Sequence, residues 1–486
     1  MKKKRIIGRE YEQDTLSDAI KSREPEFIAV YGRRRVGKTF LIKEFFKELI
    51  VFEITGIHKA SMNDQLENFA ISLGRAAGVG FKPQRPLSWF DAFQQLIRFY
   101  ESPFINKKKR KKVIFFDELP WLNTPRSKFL SALEHFWNSW GANRDDLILV
   151  VCGSAASWMI QNIVTSKGGL HNRLTKQIRL LPFTLSETEL FLKSRNVKLS
   201  RFQIIDLYMT MGGIPHYLKQ IEPGLSSSQI IEDICFLSGG FLRHEFNKLY
   251  SSLFDKSRQY VNIIKILAKK RKGLTRNEIL ESLGVSSGGT ISARLQELEE
   301  SGFIQSRIPF GKKSNEALYW LTDEYSLFYI DWISKLKNND SGKGYWQARL
   351  NSPKKRAWAG YAFERICIKH TDKIKEALGI LNVETSEAPW QGRYLGDDKS
   401  SIGAQIDLLI DRKDQTINIC EMKFSESEFV IDKKYANSLR QKVNVLKKVT
   451  GTKKNILLTM ITTFGVKDNN YYKELVQNTV VLDDLF

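Results

Sequence analysis

Cysteine and histidine are scarce in this sequence of 486 residues, which holds four cysteines and six histidines. The cysteines lie far apart and form no CxxC pair, and neither residue type shows the spacing of zinc ligands. These absences exclude a disulfide scaffold and a zinc-ribbon site. The pattern is typical of a protein in a reducing compartment.

Long apolar runs are also missing. No stretch approaches the roughly 18 residues of a membrane span. The basic first residues are followed by the segment IIGRE, residues 6–10, and not by the apolar core of a signal peptide. We therefore expect a cytoplasmic protein with no membrane partner.

Acidic residues are outnumbered, since 76 Lys and Arg face 54 Asp and Glu, which gives a formal net charge of +22. A surplus of this size favours a polyanionic partner, with nucleic acid as the first candidate, and a merely soluble basic protein is the alternative. The basic runs at residues 2–5 and 107–112 are consistent with solvated loops or with a track for phosphates. Hydrophobic residues make up 42% of the chain, which is enough to bury real cores.

The hydrophobic pattern divides the chain into three domains and a linker. In residues 1–225, short apolar strands alternate with amphipathic helical stretches, which is typical of an α/β parallel sheet. Residues 226–336 are helical and end in a polar–apolar alternation, and the polar residues 337–352 predict a linker. Residues 353–486 show a helix, a hairpin, a helix and a strand, as in a small α/β domain.

The strongest motif follows the apolar segment at residues 26–31. Its sequence, GRRRVGKT, is a GxxxxGK[ST] loop between a strand and a helix. In such loops the backbone amides wrap phosphates at a helix N-terminus. Lys38 is predicted to reach the β- and γ-phosphates of ATP, and the Thr39 hydroxyl to bind Mg²⁺. The loop residues predicted to bind the nucleotide are Gly32, Arg33, Arg34, Arg35, Val36, Gly37, Lys38 and Thr39.

A second motif ends the apolar segment at residues 113–116. Asp117 and Glu118 follow it, at the end of a strand where α/β sheets bind ligands. Asp117 is predicted to hold the Mg²⁺ shell, and Glu118 to polarise the attacking water. Another apolar segment, residues 147–152, leads to Ser154, which could contact the γ-phosphate or cap a helix.

Together these segments resemble the archaeal-type P-loop ATPases, relatives of AAA+ proteins that are placed with the STAND NTPases. The resemblance extends to the GRE segment at residues 8–10 and to the GGIP segment at residues 212–215. It implies that Arg9 and Glu10 flank the adenine base and that Pro215 lies near the nucleotide. Many relatives have proline where this chain has an arginine after the first loop glycine, a small departure that should not prevent binding.

The resemblance also implies a phosphate-sensing arginine. Arg173, within the segment LHNRL at residues 170–174, falls where such proteins often carry one, and Arg179 is a weaker candidate. Whether Arg173 acts within one subunit or on a neighbour depends on assembly, so a homo-oligomer is one state in which it could act.

Residues 260–321 look like a winged helix. Three helical stretches precede two short strands that bracket the basic turn at residues 311–313, and Thr275 and Glu278 fit a capping box. In DNA-binding versions the third helix enters the major groove. Its exposed residues include three acids that would repel phosphates, Glu297, Glu299 and Glu300. DNA contact and a plain packing role between domains both stay open.

The last domain carries a second pattern of carboxylates and lysine. Asp407 lies on one alternating segment and Glu421 and Lys423 lie on the next, and the turn at residues 412–415 joins the two as a hairpin. On a strand, Glu421 and Lys423 point to one face, beside Asp407. Two carboxylates can hold Mg²⁺ against a scissile phosphate while a lysine orients or activates water.

This layout resembles the PD-(D/E)XK nuclease superfamily, and archaeal-type ATPases commonly carry such a domain at the C-terminus. The resemblance implies a catalytic role for Asp407, Glu421 and Lys423, a further acid on the preceding helix at Glu364, and Mg²⁺ or Mn²⁺ as the metal. The predicted metal ligands of this site are Glu364, Asp407 and Glu421.

The predicted fold class is therefore α/β: a P-loop NTPase parallel sheet, then a helical and winged-helix domain, then a small α/β restriction-endonuclease-like domain. Nuclease-like domains can keep their fold while losing activity. Two functions stay open. One is an ATP-hydrolysing enzyme that cuts DNA, and the other is a STAND-like switch whose winged helix and inactive nuclease-like domain only bind nucleic acid or protein.

Overall fold

The computed structural model describes residues 6–78, 83–106, 111–165, 172–254, 256–285, 288–337, 340–395 and 401–486. The chain forms two compact units. The first unit comprises Met1–Pro182 with Glu300–Gly302, and the second comprises Phe183–Glu299 with Phe303–Phe486. The division into three domains and a linker stays a prediction.

The first unit is built on a five-stranded parallel sheet. Its strands are β1 (Glu26–Tyr31), β2 (Ile50–Thr55), β3 (Lys112–Asp117), β4 (Leu147–Gly153) and β5 (Lys176–Arg179). Their order in the sheet is β2-β3-β4-β1-β5. The strands β1, β3 and β4 are buried along their whole length, which explains their uninterrupted apolar sequences. The predicted parallel sheet is confirmed.

Helices connect these strands. They are α1 (Glu10–Lys21), α2 (Lys38–Phe45), α3 (Met62–Ala77), α4 (Trp89–Glu101), α5 (Pro103–Asn106), α6 (Leu119–Leu122), α7 (Phe129–Ser139) and α8 (Ala156–Met159). An aromatic core fixes β3 against them. Phe93 of α4 lies 5.8 Å from Phe116 and 4.9 Å from Phe136 of α7, between ring centroids. This packing anchors the strand that ends at Asp117.

The described end of the second basic run is buried. Lys111 donates to the Glu24 carbonyl oxygen at 2.5 Å, and Lys112 forms an ion pair with Asp146 at 2.5 Å. These two lysines therefore neither belong to a solvated loop nor offer a track for phosphates. Both are buried, and their partners are residues that precede β1 and β4. The other residues of this run, and the run at residues 2–5, lie outside the described residues.

The second unit contains the remaining helices. They are α9 (Leu185–Ser194), α10 (Arg201–Met211), α11 (Pro215–Leu218), α12 (Ser227–Ile231), α13 (Glu245–Ser251), α14 (Ser257–Lys269), α15 (Arg276–Leu283), α16 (Gly289–Glu300), α17 (Glu324–Asp331), α18 (Pro353–Lys369), α19 (Thr371–Ala377), α20 (Lys433–Thr450) and α21 (Asn470–Leu475). The four cysteines of the chain are buried and free of disulfides, in agreement with the sequence analysis.

A small antiparallel sheet accompanies α14, α15 and α16, with its first strand between α14 and α15. Its strands β6 (Leu274–Thr275), β7 (Ile304–Arg307) and β8 (Leu318–Leu321) lie in the order β6-β8-β7. The predicted capping box is confirmed, because the Thr275 amide donates to the Glu278 carboxylate at 2.7 Å and the Glu278 amide donates to the Thr275 hydroxyl at 3.3 Å.

The expectation that acids of α16 are exposed is wrong. Glu297 and Glu299 are half-buried, because α16 packs them against neighbouring elements. The Tyr260 hydroxyl donates to Glu297, and Ser306 donates to Glu299 from both its amide and its hydroxyl. Their charges are directed into the unit, so they argue less strongly against DNA contact than the sequence suggests.

A five-stranded mixed sheet lies at the C-terminal end. Its strands are β9 (Thr385–Leu395), β10 (Ser401–Arg412), β11 (Thr416–Lys423), β12 (Asn455–Thr462) and β13 (Asn478–Val481), in the order β13-β12-β11-β10-β9. The predicted hairpin is confirmed, since β10 pairs antiparallel with β11 and Leu408 lies opposite Cys420. The strands β11, β12 and β13 run parallel. Helix α20 packs Leu439 and Leu446 into the core of this sheet.

His370, at the end of α18, is buried in the second unit. Its Nδ1 lies 2.8 Å from the Ile366 carbonyl oxygen, and its Nε2 accepts from the Leu185 amide at 3.4 Å. These contacts suit a neutral imidazole. Burial lowers the pKa of His370 to about 4.

We expect protonation of His370 to destabilise the second unit in acid. The pKa of His370 is about 4 in the folded chain, whereas its ordinary value, expected in the unfolded chain, is 6.5. As the pH falls below 6.5, the unfolded chain therefore binds a proton at His370 before the folded chain does. This group should remove about 3 kcal/mol from the free energy of unfolding between those two pH values. Denaturant titrations of the wild type and His370→Asn at both pH values measure it. The variant should lack this loss, and equal losses in both proteins would contradict the assignment.

Candidate functional site

Three strands of the first unit end at one edge of its sheet. β1 leads into the loop at residues 32–37, β3 ends at Asp117, and β4 ends beside Ser154. Since β4 lies between β1 and β3, Ser154 falls between the loop and Asp117. The carboxyl ends of parallel strands form the usual ligand crevice of α/β sheets. The fold thus brings the two predicted motifs together.

The loop after β1 has a backbone that requires glycine. Gly32 and Gly37 have φ values of 145° and 95°. A Cβ atom at Gly32 would lie 2.2 Å from the Leu180 carbonyl oxygen, which is a clash with backbone. Glycine at these two positions therefore permits the turn that directs the loop amides inward.

Lys38 is buried at the first turn of α2. Its Nζ donates to the carbonyl oxygens of Gly32 at 2.9 Å and Arg33 at 3.0 Å, and to the Ser154 hydroxyl at 3.0 Å. Burial lowers the pKa of Lys38, and the nearby carboxylates of Glu118 and Asp117 oppose this effect. The ammonium group is therefore held at the centre of the loop, where phosphate oxygens can replace its carbonyl partners.

Thr39 and Asp117 form an oxygen pair beside this lysine. The Thr39 hydroxyl donates to Asp117 Oδ2 at 2.8 Å. Burial raises the pKa of Asp117, whereas the Thr39 hydroxyl lowers it. A hydroxyl and a carboxylate are ligands that Mg²⁺ accepts, so these two residues fit the metal that accompanies ATP.

Glu118 is held by Ser154. The Ser154 hydroxyl donates to Glu118 Oε1 at 2.6 Å, and its amide donates to Oε2 at 3.2 Å. Since that hydroxyl also accepts from Lys38, a continuous hydrogen-bonded path joins the lysine to the acid. Ala155 is the N-cap of α8, so Ser154 does not serve as the helix cap that the sequence allowed.

Arg9 contacts the loop through its backbone. Its guanidinium is buried and donates from Nη2 to the carbonyl oxygens of Leu181 at 2.7 Å and Val36 at 3.3 Å. Arg9 thus ties the start of the chain to the phosphate loop. Glu10 is exposed in the first turn of α1. Their predicted approach to the adenine stays a prediction.

The remaining predicted residues differ in exposure. Arg33 is buried, and Arg34 and Arg35 are half-buried. Arg173 is exposed, and among the described residues no hydrogen bond or ion pair joins it to the two motifs; His171, in the same segment, lies outside the described residues. Pro215 begins α11, in the second unit. The roles of Arg173 and Pro215 stay predictions.

In the second unit, Asp407 lies at a β-bulge. The pairing of β10 with β9 shifts between Ile406 and Leu409, which changes the direction of the side chains there. On the other side, Leu408 pairs with Cys420, so Asp407 is adjacent to the position of Glu421. The two predicted strand carboxylates are thus neighbours in register.

Glu421 is fully buried and has two partners on α20. Lys442 Nζ lies 2.5 Å from its Oε1, and the Tyr435 hydroxyl donates to its Oε2 at 3.1 Å. Lys423 Nζ lies 5.2 Å from the centre of the Tyr435 ring. The sequence analysis assigned no role to Tyr435 or Lys442. Their spacing of two helical turns, which places both on one face of α20, is the signal that could have found them.

Glu364 completes this group. It lies on α18 and lines, together with Asp407, a cleft of about 1300 Å³. Burial and the charge of Asp407 raise the pKa of Glu364 to about 7, while Arg365 and Lys423 oppose the shift. Among the described residues, however, no group of three or more His, Cys, Asp or Glu side chains is arranged to hold a metal ion. Lys442 supplies the positive charge nearest Glu421.

Comparison with known proteins identifies the first of these sites. Residues 7–221 match a family of ATPase domains described as predominantly from Archaea. Residues 7–221, which are less than half of the chain, are thus similar to archaeal ATPase domains. The matched segment contains every predicted nucleotide-binding residue from Arg9 to Pro215. This similarity supports ATP binding and ATP hydrolysis by residues 7–221.

Individual archaeal proteins are also similar to this chain. An uncharacterized protein of Methanocaldococcus jannaschii is 24% identical over 331 residues, which are 68% of this chain and 69% of the relative. A Walker-type ATPase of Pyrococcus abyssi has 17% identity and a TM-score of 0.47, covering 67% of this chain and 96% of its own. The ORC2 protein of Aeropyrum pernix, solved in ADPNP–ADP complexes, has 14% identity and a TM-score of 0.41, covering 71% and 95%.

Over the described part of the chain, no helix combines the length and the apolar composition that a membrane span requires.

Proposed function

We propose that this ATPase acts on DNA, and that its nucleotide state is coupled to a metal-dependent nuclease-like site in the second unit. The observation that carries the proposal is the juxtaposition of Asp407, at its bulge, with Glu421 in register and with Glu364 across the same cleft. Strand carboxylates beside a helical acid provide the oxygen ligands that hard divalent cations take.

The ATPase chemistry rests on the first unit. Lys38 would hold the β- and γ-phosphates, and the oxygens of Thr39 and Asp117 would hold Mg²⁺, which neutralises charge on the phosphates when bound. Glu118 would orient the attacking water. Ser154 donates one hydrogen bond to each oxygen of the Glu118 carboxylate. Because each oxygen can accept a second hydrogen bond, Ser154 would hold the acid in place while it contacts water.

The nuclease-like chemistry would use oxygen ligands from Glu364, Asp407 and Glu421. Mg²⁺ or Mn²⁺ bound there would polarise a scissile phosphate. Lys423, close to Tyr435 at the end of β11, would orient water. A metal bound by Glu421 would compete with the Lys442 ammonium for the charge of this carboxylate.

The same ion pair favours a second candidate function. Lys442 of the protein itself neutralises Glu421, as expected of a nuclease fold that has kept its shape and lost its activity. The protein would then be a STAND-like switch in which ATP drives a regulator, and the helical and C-terminal parts would only bind nucleic acid or protein. Arg173 would sense phosphate within its own subunit or, in a homo-oligomer, on a neighbour.

Cleavage assays distinguish the two functions. Plasmid and single-stranded DNA are incubated with Mg²⁺ or Mn²⁺, with and without ATP. We expect Asp407→Asn and Glu421→Ala to cut at least about 10-fold more slowly than the wild type, since even outer partners of metal ligands cost this much. Asp411→Asn, on the same strand but paired with Lys454 at 2.5 Å, is the matched control and should retain cleavage. Absence of cleavage by wild type with intact ATP turnover would establish the switch instead.

A further inference from the structure

The cleft beside Glu364 and Asp407 is built from separate parts of the second unit. Its lining comes from the turn between β7 and β8, from β9 and β10, and from α18. The Phe310 amide donates to the Pro389 carbonyl oxygen at 2.9 Å and so joins the turn to β9. The lining includes two of the predicted metal ligands, Glu364 and Asp407.

Cations line this cleft from several directions. Lys312 lies on the turn, Arg356 on α18, Arg393 on β9, and Lys272 precedes β6. Because these residues come from distant positions in the sequence, the pattern of charge is a property of the fold and not of a local basic run.

The cations differ in whether an acid neutralises them. Lys312 pairs with Glu316 at 2.9 Å, Arg271 pairs with Asp331 at 3.6 Å, and Lys442 pairs with Glu421. Four further cations of the lining form no ion pair with any described residue. Arg365 is half-buried against the Trp320 and Tyr361 rings, and the other three are exposed: Lys272, Arg356 and Arg393. No acid in the described part of the chain pairs with these three cations, so their charges add to a positive potential in the cleft. Such a potential attracts an anion.

We propose that this cleft binds the sugar-phosphate backbone of a nucleic acid, with Lys272, Arg356 and Arg393 as phosphate contacts, and directs one phosphodiester toward Glu364 and Asp407. The three cations lie on three separate segments of the chain. An extended ligand with several negative charges can contact all three, whereas a single phosphate group is too small. Arginine forks match phosphate oxygens in pairs. The net charge of +22 favours a polyanion in the same way. The inference rests on the proposed action on DNA.

The test is the salt dependence of binding, measured in EDTA so that cleavage plays no part. Fluorescent single-stranded and duplex DNA of equal length are titrated with the wild type and with a triple variant, Lys272→Ala, Arg356→Ala and Arg393→Ala. Each phosphate contact contributes about 0.7 to 0.9 to the slope of log K against log salt. The triple variant should therefore lose about 2 to 3 units of slope and on the order of 10²-fold in affinity at about 0.1 M salt.

A second triple variant controls for net charge. Lys198→Ala, Lys248→Ala and Lys467→Ala removes as many exposed cations of the second unit, none of them in the cleft. It should keep most of the slope. Thermal melts check that both triple variants fold, and the pair Arg356→Lys and Arg393→Lys, which keeps the charge, should restore part of the affinity.

The outcomes separate the two proposals. Binding by wild type that both triple variants weaken equally would overturn the cleft and leave the action on DNA standing. No binding of either DNA by wild type, even at low salt, would overturn both. If polyglutamate competes as well as DNA of the same charge, the cleft serves an acidic protein segment, and the nucleic-acid assignment fails.

Discussion

The Lys38→Ala variant is expected to bind ATP on the order of 10³-fold more weakly than the wild type. Its Nζ makes three hydrogen bonds, one to the Ser154 hydroxyl and two to the carbonyl oxygens of Gly32 and Arg33 in the loop. Phosphate oxygens would replace the two carbonyl oxygens as acceptors. Each charge-assisted hydrogen bond to phosphate contributes about 1.5 to 3 kcal/mol. Losing two such bonds removes most of the affinity.

Calorimetric titration with ATP and Mg²⁺ measures this loss. Lys43→Ala is the matched control, because Lys43 lies on the same helix but is exposed and paired with Glu53 at 3.0 Å. It should bind ATP like the wild type. Lys38→Met, which keeps the apolar stem of the side chain, separates lost charge from lost packing. Unchanged affinity in both Lys38 variants would show that the loop assignment is wrong.

The Glu118→Gln variant should bind ATP normally and hydrolyse it about 10²- to 10⁴-fold more slowly, which is the range for removal of a general base. Glutamine keeps the shape of the side chain, and its carbonyl oxygen can still accept from Ser154, as the carboxylate does at 2.6 Å. The bound structure should therefore survive while the group that polarises water is lost.

Two measurements test whether binding and hydrolysis respond differently. The rate of phosphate release at saturating ATP gives the turnover, and calorimetric titration gives the affinity for ATP. Glu53→Gln, an exposed acid on β2 of the same unit, is the matched control and should leave both quantities unchanged. A drop in affinity equal to the drop in turnover would mean that Glu118 acts in binding. Normal turnover would show that another residue positions the water.

Much of the first unit was predictable because its signals are local. The strand, the glycine loop and the helix that bears Lys38 follow one another within 20 residues of sequence, residues 26–45, so their spacing alone fixes their geometry. The capping box of Thr275 and Glu278 is local in the same way. The hairpin of β10 and β11 was predicted from two alternating segments joined by a short turn, which leaves few other pairings.

Other parts of the sites depend on contacts between distant segments. Ser154 reaches both Lys38 and Glu118 because β4 lies between β1 and β3, an order that no spacing in the sequence states. Arg9 was predicted to flank adenine, and the structure shows that its guanidinium contacts backbone carbonyl oxygens of the loop and of Leu181. The long side chain of Arg9 has many possible conformations, and its contacts with distant segments determine which one it adopts.

The second unit shows the same division. The sequence by itself determined that Asp407, Glu421 and Lys423 lie on paired strands, because alternation and turn length are local properties. Only the tertiary structure decided that Asp407 lies at a bulge, that α20 places Tyr435 and Lys442 on Glu421, and that α16 turns its acids inward. It also decided which cations converge on one cleft. The physical reason is that spacing along the chain sets local geometry, whereas the order of strands and the packing of helices set which distant side chains meet.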